Sequence, residues 1–253
     1  MKRVMIIVSY DGTNYCGWQI QQNGLSIEEV LNKKLSQLLN EDIRVIGVSR
    51  TDSGVHALGN VAVFDTNAMM PADKISFAMN VRLPDDIKIQ KSREVPRNFH
   101  PRHVKSYKIY EYKIWNHTFL EPTKRFYSLF CYIPLDVKQM RKAAAYMVGK
   151  HDFKSFCSKK ADIVDTVREI YSIDIRKEGN MISILVKGNG FLYNMIRIMV
   201  GTLMKVGMNA YEPEHVIEII EAKNRKAAGP TARPEGLTLV EIGFENVEEK
   251  KIW

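Results

Sequence analysis

Residues 49–57, Ser49-Arg50-Thr51-Asp52-Ser53-Gly54-Val55-His56-Ala57, place an acid, an arginine, hydroxyl side chains and a glycine in one short polar stretch between two apolar ones. Two readings fit these residue types. One is a plain connection between strands, in which Asp52 forms an Asx-turn and Gly54 takes positive φ. The other is a chemical site, because a carboxylate with a guanidinium close by stays ionised, its pKa typically lowered by roughly 1–3 units. Composition alone leaves both open.

Two further places combine polar groups with apolar surroundings. Alternation along the segment after residue 104 puts Lys108, Tyr110, Tyr112 and Ile114 on one strand face. A core or cross-strand role would suffice for most such tyrosines; a cation beside two aromatic rings also suits a flipped base stacked near phosphate. Tyr112 is assigned to packing. Arg197 sits among Phe191, Met195, Ile198 and Met199, a setting in which an unpaired charge is costly, so a partner is expected. The six histidines show no ligand spacing, and no metal site is expected. His56 is read as a holder of the loop backbone. Neither a phosphate-cradling Gly-x-x-x-x-Gly-Lys loop nor a dinucleotide fingerprint occurs.

The elements that must position these residues can be read from periodicity. The first half runs from a strand at Val4 to Val8 into a helix capped at Ser26, with Glu29 completing a capping box and an apolar stripe of Ile27, Val30, Leu31, Leu35 and Leu38. Strands at Ile43 to Val48 and Val61 to Phe64, a helix from Pro71 to Met79 and a strand at Ile87 to Gln90 follow. The order is βαββαβ, which is ferredoxin-like. The second half repeats it roughly: strands at Val104 to Trp115 and Phe126 to Ile133, a helix from Asp136 to Val148 closed by Gly149, and strands at Val167 to Ile175 and Met181 to Lys187. Helices from Phe191 to Val206 and from Pro213, then a strand at Leu237 to Ile242, complete it. The expected fold is α+β, with two ferredoxin-like halves, 1–100 and 101–253, forming a largely antiparallel sheet with helices on one face and a central active-site cleft.

The 253 residues are 45% hydrophobic and 26% charged, which gives material for a sizeable core and no sign of bulk disorder. Neither a secretory leader nor a membrane span is expected, and three widely spaced cysteines argue against a disulfide framework, so a cytoplasmic setting fits. The formal charge of +8 favours a polyanionic partner. Between Lys91 and Arg125 nine basic residues face three acidic ones, a local charge of +6.

Arg-Thr-Asp-x-Gly-Val-His-Ala, residues 50–57, resembles the active-site signature of the tRNA pseudouridine synthase A family. Tyr10-Asp11-Gly12-Thr13-Asn14-Tyr15-Cys16-Gly17-Trp18-Gln19 is similar to that family's opening motif and Asn80-Val81-Arg82-Leu83-Pro84 to its middle one. Phe99-His100-Pro101-Arg102, Lys108-Ile109-Tyr110-Glu111-Tyr112, Phe191-Leu192-Tyr193-Asn194-Met195-Ile196-Arg197 with Val200-Gly201, and Glu235-Gly236-Leu237 follow in order. Two departures stand out: Ser49 where the family usually has glycine, and Leu58-Gly59-Asn60 in place of a Gly-x-Gly-Gln run.

The resemblance implies Asp52 as nucleophile, Arg50 helping to extrude the target uridine, Tyr110 against the uracil and Arg197 beside Asp52; Lys108, a cation on the Tyr110 face, and Arg102, in the basic segment, are further candidate substrate-binding residues. It implies isomerisation of uridine to pseudouridine at positions 38 to 40 of the tRNA anticodon arm, without a cofactor, by a homodimer. Such a reaction breaks a C–N glycosidic bond, turns the base and forms a C–C bond, which a carboxylate can initiate at C1′. Two other readings are a paralogue acting on ribosomal RNA and a non-catalytic RNA-binding module. Asp52 separates the last from the rest, because a carboxylate beside phosphate weakens simple binding.

Overall fold

The computed structural model describes residues 1–158 and 165–244, and its contacts divide the chain into two units. One unit holds Met1–Ser106 with the chain from Thr238 on; the other holds Tyr107–Leu237. The class is α+β with mainly antiparallel strand pairing.

The first unit contains β1 (Lys2–Tyr10), α1 (Ile27–Leu39), β2 (Ile46–Gly47), β3 (His56–Thr66), α2 (Ala72–Asn80) and β4 (Ile87–Val95). β1 pairs antiparallel with β4 on one side and β3 on the other. Its Val4-Met5-Ile6-Ile7-Val8 run is buried throughout, as a central strand covered on both faces requires. Ser26 caps α1 as its sequence demands, its Oγ accepting from the Glu29 N–H at 3.2 Å. The buried stripe is Ile27, Val30, Leu31, Leu35 and Leu39, so Leu39 replaces the expected Leu38. Steps of four along 27, 31, 35 and 39 keep to one helical face.

Strand limits differ most around the polar stretch. The expected Ile43 to Val48 strand shrinks to β2, and the expected Val61 to Phe64 strand grows to eleven residues by starting at His56. The cause is a shared edge. β2 covers β3 at Val63 and Ala62, while the far end of β3 at His56 and Ala57 pairs in parallel with Thr238 and Leu239 of the last strand. Alternation could not reveal that non-local partner.

The second unit contains β5 (Ser106–Asn116, entering at Tyr107), β6 (Leu129–Cys131), α3 (Val137–Ala145), β7 (Gly149–Asp152), β8 (Val167–Glu178), β9 (Met181–Gly188), α4 (Met195–Gly207) and α5 (His215–Ala222). Its strands run β5-β9-β8-β7 in antiparallel pairs, with β6 parallel to β5. α3 packs on α4 and β8. Gly149 opens β7 rather than merely closing a helix, and α4 begins at Met195 instead of Phe191 because Asn194 takes a left-handed conformation, φ 60°. The final strand, β10 (Leu237–Phe244), joins the first unit from Thr238.

Register in the first unit is fixed by charge as well as burial. Arg3 and Asp65 stand opposite each other on β1 and β3, and Arg3 donates Nε and Nη2 to the two carboxylate oxygens at 2.8 and 2.7 Å. That fork holds the Asp65 carboxyl below its ordinary value of 3.8 and raises the Arg3 guanidinium. A depressed carboxylate stabilises the fold above the unfolded value and loses that contribution as pH falls through the folded one. Asp65→Asn is therefore expected to lower stability at pH 7, with the gap to wild type closing below pH 3.8 in denaturant titrations at stepped pH.

Candidate active site

The 49–55 loop joins β2 to β3, and its shape is set by the segment that follows β1. Trp18 donates its backbone N–H to Thr51 O at 3.1 Å, and Gly54 N–H donates to Tyr15 O at 3.3 Å. Ser53 Oγ reaches the same Tyr15 carbonyl at 3.2 Å. Within the loop, Val55 N–H closes a turn onto Asp52 O at 3.2 Å, and Gly54 has the expected positive φ, 75°. Asp52 lies inside this turn, partly exposed, between the buried Thr51 and the exposed Ser53.

Side chains complete the clamp from below. Tyr10 and Thr51 share a hydroxyl hydrogen bond of 2.8 Å, and Asn60 Nδ2 donates to the Tyr10 hydroxyl at 3.2 Å. The Asn60 amide also spans the loop base, giving Nδ2 to Ser49 O at 3.1 Å and taking Ser49 N–H at 3.4 Å. Both departures from the family pattern therefore meet in one contact. His56 Nδ1 accepts from Gly12 N–H at 3.1 Å, so this histidine ties backbone together as expected. Tyr15 is anchored in turn by its hydroxyl, which donates to Asp86 Oδ1 at 2.6 Å; burial, then Asp86, push the phenol well above its usual range. Tyr10, Tyr15 and Asp86 were not singled out in the sequence, and Asn60 stood out only as part of a departure from the family pattern. Their signal was a buried hydroxyl or amide needing a partner.

Arg50, Asp52 and Arg102 all belong to the first unit. Arg50 and Arg102 line one pocket of about 210 Å³ together with Trp18, Glu28 and Ile46. Arg102 arrives there from the basic segment, its Nε donating to Gly47 O at 2.8 Å.

Lys108, Tyr110 and Arg197 belong to the second unit. Tyr110 faces Val186 across β5 and β9, is 7% exposed, and meets Phe191 edge-on with ring centroids 5.4 Å apart. Lys108, on the same face, is half-buried opposite Gly188. Tyr112 is fully buried and donates its hydroxyl to Arg233 O at 2.6 Å, which fits a packing role; burial pushes its phenol up. Arg197, in the first turn of α4, donates Nε to Ala232 O at 2.7 Å and Nη1 to Asn194 Oδ1 at 2.8 Å. The partner demanded by its apolar surroundings is thus partly the protein's own backbone. Among the described residues no group of three or more His, Cys, Asp or Glu stands together to hold a metal, and no helix is long and apolar enough to cross a membrane.

The first unit offers a carboxylate on a hydrogen-bonded turn with guanidinium groups in the same unit; the second, taken by itself, offers a buried tyrosine on a β-strand. The family description "tRNA pseudouridine synthase" matches residues 6–103 and 143–245. The chain belongs to this family. Proteins named tRNA pseudouridine synthase A resemble it over almost their whole length. That of Ruminiclostridium cellulolyticum is 48% identical over 245 residues, 96% of this chain and 100% of the relative. That of Thermoanaerobacter sp. (strain X514) is 45% identical over 242 residues, 96% of this chain and 99% of the relative.

Gly17 permits the clamp on the 49–55 loop. Its φ is 106°, and a Cβ there would stand 2.6 Å from Thr51 O. Gly17→Ala is expected to destabilise by about 1–3 kcal/mol from backbone strain and to lower activity per folded molecule, measured by denaturant unfolding alongside turnover. Full activity per folded molecule would show that the loop's shape does not depend on this contact.

Proposed function

We propose that this protein isomerises uridine to pseudouridine in tRNA, at positions 38 to 40 of the anticodon arm, with Asp52 as the nucleophile. The observation that carries the reading is the fixed presentation of Asp52, partly exposed on a loop clamped through Thr51, Ser53 and Gly54, in a chain of this family.

The chemistry follows from the groups available. The ionised Asp52 carboxylate displaces uracil N1 from C1′ or assists formation of a glycal; the uracil leaves as an anion and keeps its electron pair. The base then turns and C5 attacks C1′, expelling the Asp52 carboxylate with the electron pair of its C1′–O bond, or on the glycal route adding to C1′ as C2′ regains its proton. Loss of the C5 proton and gain of one at N1 restore the ring. The net change is an isomerisation and requires neither an oxidant nor a second substrate. Arg197 is the countercharge that keeps Asp52 ionised. Tyr110 packs against the uracil, with its hydroxyl serving the removal of the C5 proton. Arg50 fills the space left by the extruded uridine. Lys108 and Arg102 hold the RNA backbone. By chain order the nucleophile comes from the half spanning 1–100, and the tyrosine and Arg197 from that spanning 101–253. The working form is a homodimer in the cytoplasm, where the free thiols of Cys16, Cys131 and Cys157 stay reduced.

Asp52→Asn is expected to lower pseudouridine formation on the order of 10³-fold or more, while the affinity for tRNA stays close to that of wild type. Turnover equal to wild type would exclude the carboxylate mechanism; unchanged binding by a wild type that forms no product would favour a non-catalytic RNA-binding module. Tyr110→Phe is expected to lower single-turnover product formation by about 10²–10⁴-fold with an unchanged melting temperature. Undiminished product formation would confine the hydroxyl to packing.

A further inference from the structure

Arg225 turns its guanidinium back onto its own loop. The side chain is half-buried, and desolvation holds it below its usual value with no carboxylate to offset the effect. Its donors go to oxygens three to six residues along the chain: Nη1 to Ala228 O at 3.3 Å and to Gly229 O at 2.9 Å, and Nη2 to Thr231 Oγ1 at 3.0 Å. The planar fork of arginine suits acceptors fixed in this way, whereas the ammonium of lysine is a point charge with freely turning donors. The loop so gathered is also pinned to α4. Gly229 N–H donates to Thr202 Oγ1 at 3.0 Å, and that buried hydroxyl donates in turn to Ile198 O at 2.9 Å. At Gly201 any side chain would run into Pro230 O, and at Gly229 a Cβ would stand 2.7 Å from the Thr202 backbone, so two glycines let loop and helix touch.

The far end of this loop reaches two residues of the second unit already described. Arg197 and Ala232 are joined in both directions: Ala232 N–H donates to Arg197 O at 3.0 Å, and Arg197 Nε donates to Ala232 O at 2.7 Å. The next carbonyl, Arg233 O, accepts the hydroxyl of Tyr112, which shares a strand face with Tyr110. One loop thus fastens the Arg197 guanidinium to the strand that carries the tyrosine. A carbonyl directs a side chain only as firmly as its own backbone is held, and leaving a guanidinium partly out of water without a countercharge is costly for a loop with no such duty. We propose that Arg225 is a positioning residue: by closing the turn over 225–231 it sets Ala232 O, and through that carbonyl the direction in which Arg197 presents its guanidinium. The inference rests on Arg197 serving the reaction proposed above.

The test compares full-length wild type with Arg225→Lys, which keeps the charge and loses the fork. Single-turnover pseudouridine formation is expected to slow by about 10–100-fold, while the affinity for tRNA stays close to that of wild type. The Arg197 Nε–H signal in heteronuclear NMR, assigned by its loss in Arg197→Lys, is expected to shift and broaden. In an Arg197→Gln background, Arg225→Lys should have little further effect on the rate. Thr231→Val removes one acceptor, should act in the same direction, and stands in where Arg225→Lys does not fold. An unmoved Nε–H signal would overturn the inference, as would a moved signal with an undiminished rate. An equal fall in rate in the Arg197→Gln background would also overturn it, since the loop would then act on the fold alone. Should wild type form no product, the proposed reaction fails and the signal by itself decides whether Arg225 fixes Arg197.

Discussion

The backbone contact between the segment after β1 and the loop before β3 is the constraint on which the rest depends. Trp18 N–H on Thr51 O and Gly54 N–H on Tyr15 O hold the loop on either side of Asp52. Under the proposed chemistry Asp52 must meet one carbon of an extruded nucleoside, and it would gain from being fixed before the substrate arrives, since positioning error of even an ångström is costly in rate. The first unit is organised to provide that fixity. β1 supplies Tyr10 under the loop, β3 supplies Asn60 across its base, and β10 pairs with His56 and Ala57 where the loop re-enters the sheet.

Fixing the loop this firmly asks for polar contacts in a buried place, and each has a partner that is itself held. Tyr10, Thr51 and Asn60 form a chain of hydrogen bonds, and the outer anchor passes from Tyr15 to Asp86. A satisfied buried network specifies one arrangement more sharply than apolar packing does, because every alternative leaves a donor or acceptor unpaired. The same logic runs in the second unit, where Arg197 is oriented by Ala232 O and Asn194 while its neighbours Met195, Ile196 and Ile198 are buried. Charge does different work. The basic segment, with a local charge of +6, favours a polyanion at long range rather than fixing any one contact.

Much of this was legible in the residues. The capping box at Ser26, the alternation through Tyr110 and Tyr112, and the demand for a partner at Arg197 each followed from a local rule, and each is met in the structure. The polar 49–57 stretch was visible as a candidate, but residue types could not separate an Asx-turn from a chemical site; only the resemblance over several motifs favoured the second. Illegible were the contacts joining distant segments. The strand at His56 and Ala57 depends on Thr238 and Leu239, far along the chain, and the pairing of Asn60 with Ser49 looked like two separate departures from a pattern. The expected stripe ended at Leu38, whereas the buried residue is Leu39, because either leucine borders the same face and only the packing partner decides between them. The left-handed Asn194 that delays α4 carries no side-chain pattern of its own.

The most direct test of the central claim is a site-resolved map of pseudouridine in tRNA from cells that lack this gene and are complemented with either the natural gene or one altered only at codon 52 to encode asparagine. Pseudouridine in the anticodon arm should be absent without the gene, return with the natural one, and stay absent with the altered one although the protein accumulates to the same level. Restoration by the asparagine form would contradict the account, because a loop built to present a carboxylate would then be working without it.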